Sequence, residues 1–160
     1  MEIKLTGADI AGGKLAELIA KLSKASSVDV GWNEEACYPA NHRNGGDFVA
    51  NVAVINEFGG NWSEGDNEVR QIPPRPFFRA MIARDKNNYS GMIYKSLQAN
   101  DYDMSRSLQV VGTEIQKNLQ KMIVGWTEPG NAPRTIARKK RDDPLVESRT
   151  MVGTVNRWVK

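Results

Sequence analysis

The sequence predicts an α+β fold, on three observations. Segments with the 3.6-residue period of an amphipathic helix recur along the chain, the longest being SRSLQVVGTEIQKNLQKMIVGW at 105–126. Two short segments, SVDVGW at 27–32 and TVNRWVK at 154–160, instead alternate apolar and polar residues, the period of a half-buried strand. A polar, glycine-containing stretch at 60–71 lies between a helix ending on two glycines and a run of prolines, as expected of a surface loop or loose hairpin arm.

The elements follow in order. Ile3 and Leu5 suggest a short first strand. In GKLAELIAKLSKA, Leu15, Leu18, Ile19 and Leu22 share one helical face and the lysines lie elsewhere. Val28, Val30 and Trp32 define the strand that follows. Residues 33–46 carry turn formers and no period, so they read as a loop. Asp47 stands where an N-cap is expected, before FVANVAVINEF. The polar residues of that helix, Asn51, Asn56 and Glu57, do not gather on one face, which predicts a central helix buried on several sides with Phe58 in the core. Gly59 is its left-handed stop.

Beyond the arm, Pro73 and Pro74 fix an extended path, and Pro76 suits the first turn of the helix PFFRAMIARD. Phe77 and Phe78 would point about 100° apart on that helix, so one can enter the core. Arg75, between prolines, either reaches an acidic partner or lies in solvent. A further helix spans NNYSGMIYKSLQAND. In the long helix Leu108, Val111, Ile115, Leu119 and Met122 step by three or four, and Gly112 inside it predicts a close approach by another element. Gly125 stops it. NAPRTIARKKRDDP is basic and proline-bounded, about one helical turn, and Val155, Arg157 and Val159 share a face of the last strand. No internal repeat or low-complexity linker interrupts the chain, which reads as a single domain over 1–160.

Composition narrows the function. The 160 residues are 40% hydrophobic and 26% charged, enough for a modest core, and the net charge of +3 does not require a nucleic-acid partner. Cys37 is the single cysteine, so no disulfide framework exists within one chain, and a reducing compartment is the simplest reading. The N-terminus lacks the pattern of a signal peptide, and no stretch approaches the roughly 20 apolar residues of a membrane span. The expectation is a chain assembled in a cytoplasm with no membrane partner.

Candidate chemistry is sparse. His42 is the only histidine, and Cys37 has no other possible imidazole base; neither shows the third, orienting group that a nucleophile needs. Asp101 with Asp103, or Glu34 with Glu35, could offer oxygen to a divalent cation, but such pairs are common in solvated turns. AGGK at 11–14 lacks the rest of a phosphate-binding loop. No catalytic, metal or cofactor set is expected, and the chain is read as not an enzyme. Arg134, Arg138, Lys139, Lys140 and Arg141 form a basic cluster too dense for Asp142 and Asp143 alone to neutralise. It suits an interface with acidic protein surface or, alternatively, nucleic acid; no aromatic ladder accompanies it for stacking on bases.

Several motifs occur together in order: Asn56-Glu57-Phe58-Gly59, then Ile72 to Phe78 (IPPRPFF), then Trp126, then Thr135-Ile136 with Lys139, then Pro144-Leu145. In this order and spacing residues 48–160 resemble the tail-completion or neck proteins of long-tailed bacteriophages, with relatives in kind in lambda minor tail protein Z and the virion-morphogenesis proteins of Mu-like phages. The structural motif residues are Phe58, Gly59, Pro73, Arg75, Pro76 and Phe77. One departure is Glu147-Ser148-Arg149, where the family often has an Asp-Thr-Gly turn. The resemblance implies a small antiparallel sheet packed with helices and an extended arm. It also implies a virion structural role at the head–tail junction: a homo-oligomeric, hexameric ring that meets other junction and tail-tube proteins and lets DNA pass through its lumen.

Overall fold

A computed structural model describes residues 13–42, 44–63 and 69–160. The expected strand at Ile3 and Leu5, and Ala11 and Gly12 of AGGK, lie outside these residues. The fold is α+β, as the sequence predicts. In chain order it comprises α1 (Lys14–Leu22), β1 (Val28–Gly31), α2 (Val49–Phe58), β2 (Gly60–Ser63), β3 (Val69–Ile72), α3 (Phe77–Asp85), α4 (Tyr89–Ala99), α5 (Met104–Val124), α6 (Pro133–Lys139), α7 (Thr150–Gly153) and β4 (Asn156–Val159). A 3-10 turn, Lys86–Asn88, joins α3 to α4. The chain divides into two compact units.

The first unit comprises Met1–Val30, Asp85–Ile115 and Arg157–Lys160. Here β1 pairs with β4. Just beyond them Ser27 and Lys160 exchange N–H···O bonds in both directions, the mark of an antiparallel pair. Gly112 of α5 lies against this sheet: a Cβ there would stand 2.5 Å from Val28 Cγ2 and 3.3 Å from Arg157 Cδ. The close approach expected from a mid-helix glycine is therefore a helix–sheet contact. Asp103 caps α5 by accepting the Arg106 N–H at 3.0 Å and pairs with Lys24 at 2.6 Å; Lys21 pairs with Asp101 at 2.6 Å. The hydrogen bond from Lys24 and the cap bond together hold the Asp103 carboxyl below its ordinary range. Both aspartates considered as metal ligands thus hold α1 and α5 in place.

The second unit comprises Gly31–Arg84 and Gln116–Asn156. Its core contains Val49, Ala53, Phe77, Met81, Leu119, Ile123, Leu145 and Met151. Phe77 is the phenylalanine that enters it, edge-on to Trp32 with ring centroids 6.4 Å apart, and Trp32 Nε1 donates to the Met151 carbonyl at 2.8 Å. Gln116 and Gln120 reach from α5 to the carbonyls of Val155 and Val152. The arm is an antiparallel hairpin, with Gly60 opposite Ile72 and Ser63 opposite Val69.

Two local expectations fail in α2. Its N-cap is Phe48, not Asp47, and no side chain caps it; Phe48 forms a backbone bridge with Cys37 that fixes where the chain enters the helix. Nor is α2 buried on several sides. Val54 is 55% exposed and Phe58 61% exposed, while Glu57 is buried. The Phe58 ring instead lies under the Arg79 guanidinium, 4.7 Å from its centroid. An evenly apolar helix has no periodicity to mark its inner face, and the choice falls to the polar contacts described below.

Candidate functional site

The motif residues assemble at one place, where α2 ends and the proline strut returns to the body. Gly59 takes φ 76°, ψ 171°, a positive φ but not a left-handed helical turn, and so sends the chain directly into β2. A Cβ at Gly59 would stand 2.9 Å from the Ile72 carbonyl oxygen and 3.0 Å from the Pro74 nitrogen. Glycine is needed there for both the dihedral and the close passage of the returning strut.

Glu57 then joins α2 to α3. Its carboxylate accepts the backbone N–H groups of Phe78 (2.8 Å) and Arg79 (3.1 Å) and the Arg79 Nε at 2.8 Å. The helix α3 begins at Phe77, so Pro76 stands just before it and has no side-chain acceptor to offer. The Phe77 N–H is taken by the Arg75 carbonyl and the Ala80 N–H by that of Pro76. Every donor of the first turn is thereby satisfied, two of them by a carboxylate from another helix.

Arg75 is 6% exposed. It donates to the carbonyls of Pro129 (Nε, 3.0 Å) and Gly130 (Nη2, 2.9 Å) and to Asn56 Oδ1 (Nη1, 3.0 Å), and its own N–H bonds the Asn56 carbonyl at 2.7 Å. Neither an acidic side chain at contact distance nor bulk solvent receives it; it is a pin through backbone carbonyls. Burial lowers its pKa, and Asp142 opposes that from a distance. Asp142 itself accepts from the Asn131 N–H and Nδ2, fixing the same loop.

The basic segment is mostly folded back on its own chain. Lys139, its side chain only 5% exposed, pairs with Asp143 at 2.9 Å; Arg141 pairs with Asp143 at 2.7 Å; Arg138 pairs with Glu147. Burial raises the Asp143 pKa, but Lys139 and Arg141 outweigh it and hold the carboxyl below its ordinary range. Asp142 and Asp143 alone do not neutralise the cluster: Asp142 is turned to Asn131, and Glu147 faces Arg138 in its place. Arg134, Arg138, Lys140 and Arg141 remain exposed on this face.

Arg149 has φ 63°, in the left-handed region where glycine, and not arginine, is unstrained. Arg149→Gly is expected to stabilise the chain by about 0.5–1 kcal/mol, because the relieved strain exceeds the added unfolded-state entropy. Urea unfolding at unchanged m-value would measure it, and a loss of stability would contradict it.

The remaining candidates do not converge. Cys37 is exposed, and no group of three metal-ligating side chains occurs among the described residues. His42 stacks on Tyr38 with centroids 4.6 Å apart. Sequence reasoning missed Glu57, Asn56 and the Asn131–Asp142 contact. A signal existed for the first: a glutamate in the last turn of a helix opposes the helix dipole, so it needs a partner elsewhere. Comparison of the chain with protein-family models, curated proteins and solved structures finds no match. No described helix is long and apolar enough to cross a membrane.

Proposed function

We propose that this chain is a structural virion protein of a phage neck or tail-completion ring, assembled in the host cytoplasm and placed at the head–tail junction, with DNA passing through the lumen. The observation that carries the reading is the joint around Asn56–Gly59 and Ile72–Phe78. The residues that bear the family resemblance act geometrically: Glu57 caps α3, Arg75 pins the 129–130 loop, and Gly59 lets the strut pass. A stiff joint presents the β2–β3 hairpin at a fixed angle, which suits a subunit that must meet identical neighbours. Ordering entropy is then spent in folding rather than in assembly.

A closed ring needs two different matching patches on each subunit. The hairpin arm and the segment 134–160 are these patches in our reading. The arm sequence carries Glu64, Asp66 and Glu68, opposite in sign to the exposed Arg134, Arg138, Lys140 and Arg141. The nucleic-acid alternative relies on the same cations, and Arg138, Lys139 and Arg141 already face carboxylates.

Negative-stain images and the solution mass of the purified chain are expected to reveal a closed ring, alone or on added tails; a chain that stays monomeric with tails present would sink the reading. The double variant R134E/K140E should keep the wild-type melting temperature, since exposed ion pairs contribute little to stability. In a phage lacking the protein it should lower the yield of joined particles. Reversal at Lys139 is no substitute, because its buried ammonium holds Asp143.

A further inference from the structure

We infer that Lys140 and Arg149 are the residues that grip a second copy of this chain, through the carboxylates Glu64, Asp66 and Glu68 of its arm. The inference rests on the ring reading for a contact between copies and goes beyond it in assigning the side chains that make the contact. Its starting point is two strained positions. Lys140 ends α6 with φ 61°, ψ 19°, and Arg149 precedes α7 with φ 63°, ψ 5°. Both lie in the left-handed region, where a Cβ is crowded and glycine is the unstrained choice. The backbone uses that conformation: the Lys140 N–H donates to the Ile136 carbonyl, and the Arg149 carbonyl accepts the Gly153 N–H, both at 2.8 Å. The fold makes no such use of the side chains. Each is exposed, and neither the ammonium nor the guanidinium has a hydrogen bond or ion pair among the described residues.

The cations between them are already engaged. Arg138 pairs with Glu147, and Lys139 and Arg141 pair with Asp143. Arg138 and Arg141 both reach Glu147, which holds the end of α6 to the residues just before α7, so Lys140 and Arg149 flank one folded turn. Long cationic side chains kept at both strained ends of that turn, and unused inside the fold, point to a ligand outside it. Charge pattern favours protein over nucleic acid. Asp142, Asp143 and Glu147 belong to the same turn, and the continuous charge of a phosphate backbone would meet these carboxylates as well as the cations. Two cations set apart by neutralised neighbours suit separately placed carboxylates. The arm carries these at every second position, Glu64, Asp66 and Glu68, with no lysine or arginine between Gly60 and Val69.

Full-length chains at natural abundance and labelled with nitrogen-15 are mixed in urea, refolded together and treated with a carbodiimide, which joins an ammonium to a carboxylate in direct contact. Mass spectrometry of the digest is expected to show Lys140 joined to Glu64, Asp66 or Glu68 in mixed-isotope pairs. Pairs of one isotope only, or no bond from Lys140 to an arm carboxylate, overturn the inference. The double variant K140G/R149G should raise the urea midpoint, because the strain is relieved, and yet weaken self-association in sedimentation by about tenfold or more. Unchanged association in that variant would also overturn it, as would wild-type binding to a DNA duplex that the same variant loses. A ring that closes without these bonds sinks this inference and leaves the ring reading standing. Mixed-isotope pairs in a chain that closes no ring do the reverse.

Discussion

Glu57→Ala is expected to destabilise the second unit by about 3 kcal/mol, roughly a 6–12 °C fall in melting temperature for a chain of this size. The carboxylate is buried and accepts two backbone N–H groups and the Arg79 Nε. Its loss removes a helix cap, an effect of about 1–2 kcal/mol. It also leaves two backbone donors without their acceptor and removes the carboxylate from the Arg79 guanidinium, while Arg79 keeps the Glu57 carbonyl at 3.1 Å and the Phe58 ring. Glu57→Gln keeps an acceptor oxygen and should lose about half as much. Urea unfolding followed by tryptophan fluorescence measures both, since Trp32 packs on Phe77 at the start of α3. Wild-type stability in Glu57→Ala would show that the first turn of α3 finds other acceptors.

The sequence revealed elements better than it revealed contacts. The long helix α5 and the strand β1 were legible because each has a clear period, Gly112 announced a close approach through its cost alone, and the arm at 60–71 was legible only as a loop or loose hairpin. The inner face of α2 was not legible. Val54, Ile55 and Phe58 are equally apolar, and what turns Phe58 outward is the pull of Glu57 toward the first turn of α3, a contact between residues 21 and 22 positions apart. Within Asn56–Gly59, Phe58, expected in the core, is at the surface, and Glu57 is buried. The partners within the basic segment were not legible for a related reason. Charge along the chain could be counted, but only the folded turn at 143–147 shows which carboxylates face Arg138, Lys139 and Arg141.

Arg75→Met should cost about 3 kcal/mol and should loosen a segment distant in sequence. The guanidinium is largely buried and bonds Pro129 O, Gly130 O and Asn56 Oδ1. Each hydrogen bond from a charged donor contributes roughly 1.5–3 kcal/mol, so the three together exceed the predicted loss. The difference is the desolvation of the cation, which methionine does not have to bear and which is already visible in the lowered Arg75 pKa. Methionine fills much of the volume, so a cavity term adds little. Arg75→Lys should recover only a minor part, because a single ammonium cannot span three acceptors that a planar fork reaches at once. The distinctive readout is local. The loop at Pro129 and Gly130 would lose these bonds and keep the Asn131–Asp142 contact, so limited proteolysis and amide exchange should rise at 127–132 before global unfolding. A variant that loses stability without that local opening would show Arg75 supporting the core generally rather than pinning the loop, and the joint would then lose its central fastening.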